Sequence, residues 1–237
     1  VKDCADMGIP VCNNGSENSI AVAEHAVLLM LAVSKKLITF NNIARSGKWK
    51  GNSHGIDMNE VYKKKLGIFG LGKIGRRVAQ LCSGFNMQIY YYDIKKLSKK
   101  DEKKYNVKFK TKNYILKNSD IVSLHLHYNK KTFHFLGKKE LSMMKKNSIL
   151  VNVSRAELVD YEFLKNLVIN KKIGGVGIDV FYDEPTISGD KLNNHKNVIA
   201  TPHTAGTTID TYRRVIDKCI LNMDKTLKGG KPEWVIS

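Results

Sequence analysis

Beyond residue 65 the chain alternates between two hydrophobic periods. Short runs rich in β-branched and aromatic residues, at 66–69, 87–92, 121–126, 148–153, 174–180 and 197–200, read as strands. Between most of them lie stretches whose apolar positions recur at helical spacing, among them 74–82, 138–144 and 161–168. Strand and helix in alternation predict an α/β fold, a doubly wound parallel sheet with helices on both faces. Ligands bind such a sheet at the carboxyl ends of its strands.

Two more helices are expected. Residues 19–33 are apolar on nearly every side and are bounded by polar Asn18 and Ser19 and by Lys35 and Lys36. A helix of that kind packs between layers or at a subunit contact. Residues 208–227 form a final helix with Gly229 and Gly230 as its stop. Pro232 and Trp234 follow in an extended tail, and no internal repeat or low-complexity linker is visible.

Charge changes the picture only a little. The chain carries 40 Lys and Arg against 22 Asp and Glu, a formal net charge of +18. A basic surface attracts phosphate whatever the fold. Yet Lys95, Lys96, Lys99, Lys100, Lys103 and Lys104 lie in one polar connecting segment without interleaved aromatics on which bases could stack. They are read as solvated surface, and no nucleic-acid partner is expected.

The most apolar run, 26–33, is far short of the roughly 20 residues a bilayer requires, so no membrane partner is expected either. Cys4, Cys12, Cys82 and Cys219 form no C-x-x-C pair, which argues against a zinc site and a disulfide framework and for a cytoplasmic setting without metal. The chain opens on Val1 without a signal-peptide pattern, and an upstream segment is expected to be missing.

The sharpest local signal is Gly70-Leu71-Gly72-Lys73-Ile74-Gly75, directly after the strand 66–69 and opening a helix. Gly70 permits the tight turn, Gly72 lets a pyrophosphate approach the backbone, and Gly75 lets helix and strand pack closely. The helix N-terminus then offers amides to a diphosphate. The next strand ends in Asp93, where a ribose 2′-hydroxyl would be read. Together these predict a Rossmann-type domain that binds NAD.

A second group follows later strands: Arg155 after 148–153, Asp179 and Glu184 after 174–178, and His203 after 197–200. All of these loops open onto the crevice that holds the cofactor. An arginine holds a carboxylate through a planar fork. A histidine exchanges a proton with a carbinol near neutral pH, and a nearby carboxylate orients the imidazole. Taken singly, each is more often a surface ion pair or a turn residue; their occurrence together behind a nucleotide loop favours the chemical reading.

With these motifs in order, the chain resembles the D-isomer-specific 2-hydroxyacid dehydrogenase family, which includes phosphoglycerate dehydrogenases, glyoxylate and hydroxypyruvate reductases and D-lactate dehydrogenases. The match runs through Gly8-Ile9-Pro10-Val11, Val22-Ala23-Glu24-His25, Gly70 to Gly75, Met144-Lys145 and Val151-Asn152-Val153-Ser154-Arg155. It continues through Asp179-Val180-Phe181, Asp183-Glu184-Pro185 and Thr201-Pro202-His203.

The resemblance implies that Arg155, Glu184 and His203 are the catalytic set of an NAD-dependent enzyme acting on a small 2-hydroxy or 2-oxo acid. It implies that Lys73 and Ile74 hold the pyrophosphate and Asp93 the adenosine ribose. Val153, Ser154 and Asp179 match positions at the nicotinamide end, and Thr204, Ala205 and Gly206 follow the histidine in the same loop. It divides the chain into an NAD-binding domain at 1–207, with hinge and dimerisation helix within 1–40, and a helix and tail at 208–237 that return to a substrate domain absent from this sequence. A homodimer is expected.

Departures from the family pattern are Ala156, Asn86 and Asn147, each in place of a turn glycine, and His127-Tyr128-Asn129 where proline is usual. Asn tolerates left-handed geometry; Ala156 would suffer if its φ were positive. His25, His54, His125, His127, His134 and His195 are read as structural or surface residues. Formate dehydrogenases of this fold pair their histidine with glutamine, so Glu184 favours a proton-exchanging substrate. The alternative reading is an NAD(H)-sensing corepressor-like scaffold of the same fold.

Overall fold

A computed structural model describes residues 1–13, 15–49, 57–186 and 188–236. In chain order its elements are α1 (Lys2–Asp6), α2 (Ser19–Ser34), α3 (Leu37–Arg45), β1 (Lys65–Phe69), α4 (Lys73–Ser83), β2 (Gln88–Tyr92), α5 (Lys99–Lys104) and β3 (Val107–Phe109). There follow α6 (Lys112–Asn118), β4 (Ile121–Leu124), α7 (Lys138–Ser142), β5 (Ile149–Asn152), α8 (Tyr161–Ile169), β6 (Gly175–Ile178), β7 (Val198–Ala200) and α9 (Ile209–Leu227). The chain divides into two compact units, Val22–Ala205 and a smaller one of Val1–Ala21 with Gly206–Ser237.

The larger unit is built on one seven-stranded sheet of order β3-β2-β1-β4-β5-β6-β7. Every pairing is parallel, as the alternation predicts. β4, β5 and β6 are buried along their whole length, which is why they read as continuous apolar runs rather than as alternation. Successive β1 residues face opposite layers. Leu66 and Ile68 pack with Ala26, Leu29, Val78 and Cys82, while Phe69 packs with Leu124, Leu141 and Leu158.

Register does the positioning. Phe69 is level with Tyr92 and Leu124, Leu124 with Asn152, Asn152 with Ile178, and Ile178 with Ala200. One step further along each strand lie Gly70, Asp93, His125, Val153, Asp179 and Thr201, in a single row at the carboxyl edge. Winding reverses between β1 and β4, and the crevice opens there.

The polar connecting segment of Lys95 to Lys104 contains α5, and β3 and α6 follow it, none of them expected from periodicity. Ser98 caps α5 by accepting from the Asp101 amide, and Thr111 caps α6 by accepting from the Tyr114 amide. The Tyr91 hydroxyl accepts from the Leu97 amide and donates to Glu102, tying α5 to β2. The hydrogen bond from Lys99, outweighing desolvation, holds the Glu102 carboxyl below the usual range.

Of the substituted turn positions, Asn86 is left-handed at φ 55, while Ala156 opens a 3-10 turn (Ala156–Leu158) and neither it nor Asn147 has positive φ. The feared strain at Ala156 is therefore absent.

In the smaller unit α9 begins at a Thr208 cap and stops at Gly229, φ +74, where the Gly230 amide returns to the Lys225 carbonyl. The tail bridges Val235 to Cys12 in antiparallel fashion. Among the described residues no helix is long and apolar enough to cross a membrane.

Candidate active site

At the first βα turn, Gly70 has φ +88, and a Cβ there would stand 2.6 Å from the His125 carbonyl oxygen. Only glycine fits without moving backbone. Gly72 is different: it is the N-cap of α4, in extended geometry, and a Cβ on it would meet nothing within 4 Å. The space above the helix N-terminus is thus open to a diphosphate, and the residues fit a dinucleotide. Lys73 and Ile74 form the first helical positions, and Gly75 is buried behind them.

Asp93 directly follows β2 beside this turn. Its Oδ2 accepts from the Leu71 amide at 2.7 Å and its Oδ1 from the Lys95 amide at 3.4 Å. The carboxylate therefore shapes the glycine loop from which it would read a ribose. On the other side of β1, burial pushes His125 down to about 3, so its imidazole is neutral. Its Nε2 lies 2.9 Å from the Ser123 hydroxyl.

Past β5, Val153 is buried and the Ser154 hydroxyl donates to the Leu126 carbonyl at 2.5 Å. Asn152 braces the turn, its Oδ1 accepting from the Ser154 amide and its Nδ2 donating to the Arg155 carbonyl. Arg155 is exposed, with Nη1 donating to the Ser154 carbonyl at 2.6 Å.

Glu184 and His203 meet directly, Oε2 to Nδ1 at 2.6 Å, with side chains 39% and 45% exposed. Glu184 Oε1 also accepts from the Phe181 amide. The His203 hydrogen bond, then the Phe181 amide and the charges of His203 and Arg155, hold the Glu184 carboxyl below its usual range against desolvation. An ionised carboxylate only accepts, so Nδ1 carries the proton and Nε2 is left to face a substrate. Arg155, Glu184 and His203 thus share one electrostatic neighbourhood, although 48 positions separate the first from the last in sequence (203 − 155).

Asp179 lies beneath the loop that carries His203. It is 1% exposed, and its oxygens accept from the Thr201 hydroxyl at 2.6 Å, the Thr204 amide at 3.0 Å and the Ala205 amide at 2.8 Å. Thr204 is exposed and Ala205 buried. Gly206 falls in the smaller unit, where a Cβ would stand 3.1 Å from Asn18 Nδ2.

Among the other histidines, His134 meets the Tyr182 hydroxyl at 3.0 Å, and His195 accepts from the Asn197 amide and is shifted down by burial. His127 is exposed, and His54 lies outside the described residues. His25, set aside from sequence, instead reaches Thr201 and Asp179. Its place in Val22-Ala23-Glu24-His25 was the available signal.

The model of one family, described as D-isomer specific 2-hydroxyacid dehydrogenase, NAD binding domain, matches residues 27–205. The chain belongs to this family. Within it, the glyoxylate reductase of Korarchaeum cryptofilum is 34% identical over all of this chain and 72% of its own length. The D-lactate dehydrogenase of Lactobacillus jensenii, solved with NAD+, superimposes with a TM-score of 0.87 at 29% identity over 99% of this chain and 73% of its own. A glyoxylate reductase from Paecilomyes thermophila gives a TM-score of 0.87 at 28% identity, covering 99% and 70%. The D-2-hydroxyacid dehydrogenase described here is accordingly an NAD-dependent oxidoreductase. None of these three relatives is named as a scaffold.

Proposed function

We propose that the enzyme reduces a small 2-oxo acid of the glyoxylate or hydroxypyruvate type at C2, and oxidises the corresponding D-2-hydroxy acid in reverse. The observation that carries this is the 2.6 Å bond between Glu184 and His203 Nδ1, which leaves Nε2 as the proton-exchanging atom. The names of the relatives support the substrate class.

Gly70, Gly72, Lys73, Ile74 and Gly75 hold the diphosphate, and Asp93 the adenosine ribose. Val153, Ser154, Thr204 and Ala205 line the nicotinamide end, with Asp179 holding the loop of Thr204 and Ala205 in shape. NAD(H) bound there supplies the hydride exchange. Arg155 pairs with the substrate carboxylate through its guanidinium fork. His203 Nε2 gives a proton to the carbonyl oxygen in reduction and takes it from the hydroxyl in oxidation, while Glu184 keeps the ring in the required tautomer.

In this reading residues 1–207 serve as the cofactor domain and 208–237 as the return to a substrate domain, whereas the compact units group Val1–Ala21 with Gly206–Ser237. A homodimer through α2, where Leu28 stays half exposed, completes the reading.

Steady-state kinetics of the full-length enzyme with glyoxylate, hydroxypyruvate, pyruvate and formate test the substrate class. Glyoxylate or hydroxypyruvate should show the highest kcat/KM. Turnover of formate alone, or of none of the four, would refute it.

A further inference from the structure

We infer that His25 is a positioning residue for His203, acting from helix α2 through Thr201 and Asp179. The inference rests on the reading of His203 as the acid–base group. His25 Nε2 lies 2.8 Å from Thr201 Oγ1 and 3.7 Å from Asp179 Oδ1, and its side chain is only 15% exposed. The direction of the protons follows from counting donors. Thr201 has one hydroxyl proton, and Asp179 Oδ1 at 2.6 Å takes it in preference to the Ile178 carbonyl at 3.5 Å. Thr201 Oγ1 must then accept from His25, so Nε2 carries a proton. Each bond in this chain, from imidazole to hydroxyl to carboxylate, polarises the next.

The chain ends on the group around which the His203 loop is wound. Asp179 takes Thr201 on one side of His203 and the Thr204 and Ala205 amides on the other. The Thr201 carbonyl also accepts from the His203 amide at 2.9 Å. His203 itself sits at φ 54, a left-handed geometry that persists in a non-glycine residue only when its surroundings over-determine it.

The four other links just named, three into Asp179 and one into the Thr201 carbonyl, belong to the β6 and β7 loops themselves. His25 adds a link from a helix whose neighbours Ala23 and Ala26 are fully buried, so it ties the loop to the core. Without it, the Thr201 hydroxyl loses its donor and can turn toward the Ile178 carbonyl, and the loop slackens ahead of His203.

A partly buried histidine with a purely structural role would affect stability alone, and the following variants separate the two. In the full-length enzyme, His25→Leu removes the donor, and His25→Gln keeps an amide N–H at similar reach. Amide hydrogen exchange at Thr204 and Ala205 reads the anchor without reference to catalysis, and kcat for glyoxylate reduction reads its consequence. His25→Leu should speed exchange and lower kcat by about 10- to 100-fold, the scale of roughly 1 Å of misplacement, with the KM for NADH unchanged.

His25→Gln should restore both readouts. Thr201→Val, which deletes the intermediary, should match His25→Leu, and combining the two should add nothing further; this route also serves if His25→Leu fails to fold. Unchanged exchange in His25→Leu overturns the anchor, and His25→Gln behaving like His25→Leu overturns the hydrogen-bond argument. Faster exchange with wild-type kcat, while His203→Ala is inactive, overturns the positioning role. An active His203→Ala would instead refute the acid–base reading, and the exchange comparison would still decide whether His25 holds the loop.

Discussion

Two glycines of the nucleotide loop should fail in opposite ways when each is changed to alanine. At Gly70, φ +88 places an L-residue in the left-handed region, at a cost of about 1–2 kcal/mol. The new Cβ would also lie 2.6 Å from the His125 carbonyl oxygen and 2.9 Å from the Leu126 amide nitrogen, both backbone atoms that cannot swing away. Overpacking of that kind costs a further 1–3 kcal/mol or so. The sum, roughly 2–5 kcal/mol, is a large share of a typical stability and lowers Tm by roughly 4–20 °C at this chain length.

At Gly72, by contrast, φ is −71 and a Cβ meets nothing within 4 Å. Stability should change by less than about 1 kcal/mol, since the loss of a permissive N-cap is offset by lower unfolded-state entropy. The methyl group nonetheless occupies the space a diphosphate needs. Losing one hydrogen bond to a charged group costs about 1.5–3 kcal/mol, which weakens NADH binding by roughly 10- to 150-fold. Thermal melts and fluorescence titration with NADH give both quantities for both variants. Wild-type NADH affinity in Gly72→Ala would refute the placement of the diphosphate, and a wild-type Tm in Gly70→Ala would refute the steric argument.

Asp93→Ser should narrow the preference for NADH over NADPH, because the carboxylate that repels a 2′-phosphate is gone. It should also lower Tm, since the Leu71 amide loses its acceptor at 2.7 Å; equal affinity of the wild type for both cofactors would refute the first part. Glu184→Gln should lower kcat while cofactor affinity survives. The Glu184 carboxyl is depressed in the folded state, chiefly by the His203 bond, so its stabilisation is present above the ordinary carboxylate range and fades as pH falls through the folded value. With both side chains about two-fifths exposed it amounts to at most about 1 kcal/mol, so urea melts of wild type and variant should differ slightly at neutral pH and converge in acid.

Much of the site was legible in sequence because its determinants are local. The glycine spacing of 70–75, the acid at the end of the second strand and the apolar runs of the buried strands each follow from chain geometry within a few residues. What periodicity could not show was short or charged. Residues 99–104 carry too few apolar positions to display a helical period, and α5 is held by its Ser98 cap and by the contact of Glu102 with Tyr91. β3, three residues long, exists because β2 offers it an edge.

By itself, then, the sequence determined the α/β alternation and the glycine-rich loop and nominated Arg155, Glu184 and His203, since these depend on local propensity and on residue chemistry. Only the tertiary structure decided who bonds to whom. Parallel crossovers set the register that aligns Gly70, Asp93, His125, Val153, Asp179 and Thr201 in one row. That row turned Asp179 inward to grip the His203 loop. Packing of α2 on the sheet brought His25 to Thr201 across 176 residues of chain, a distance over which no pattern in the sequence carries information about a hydrogen bond.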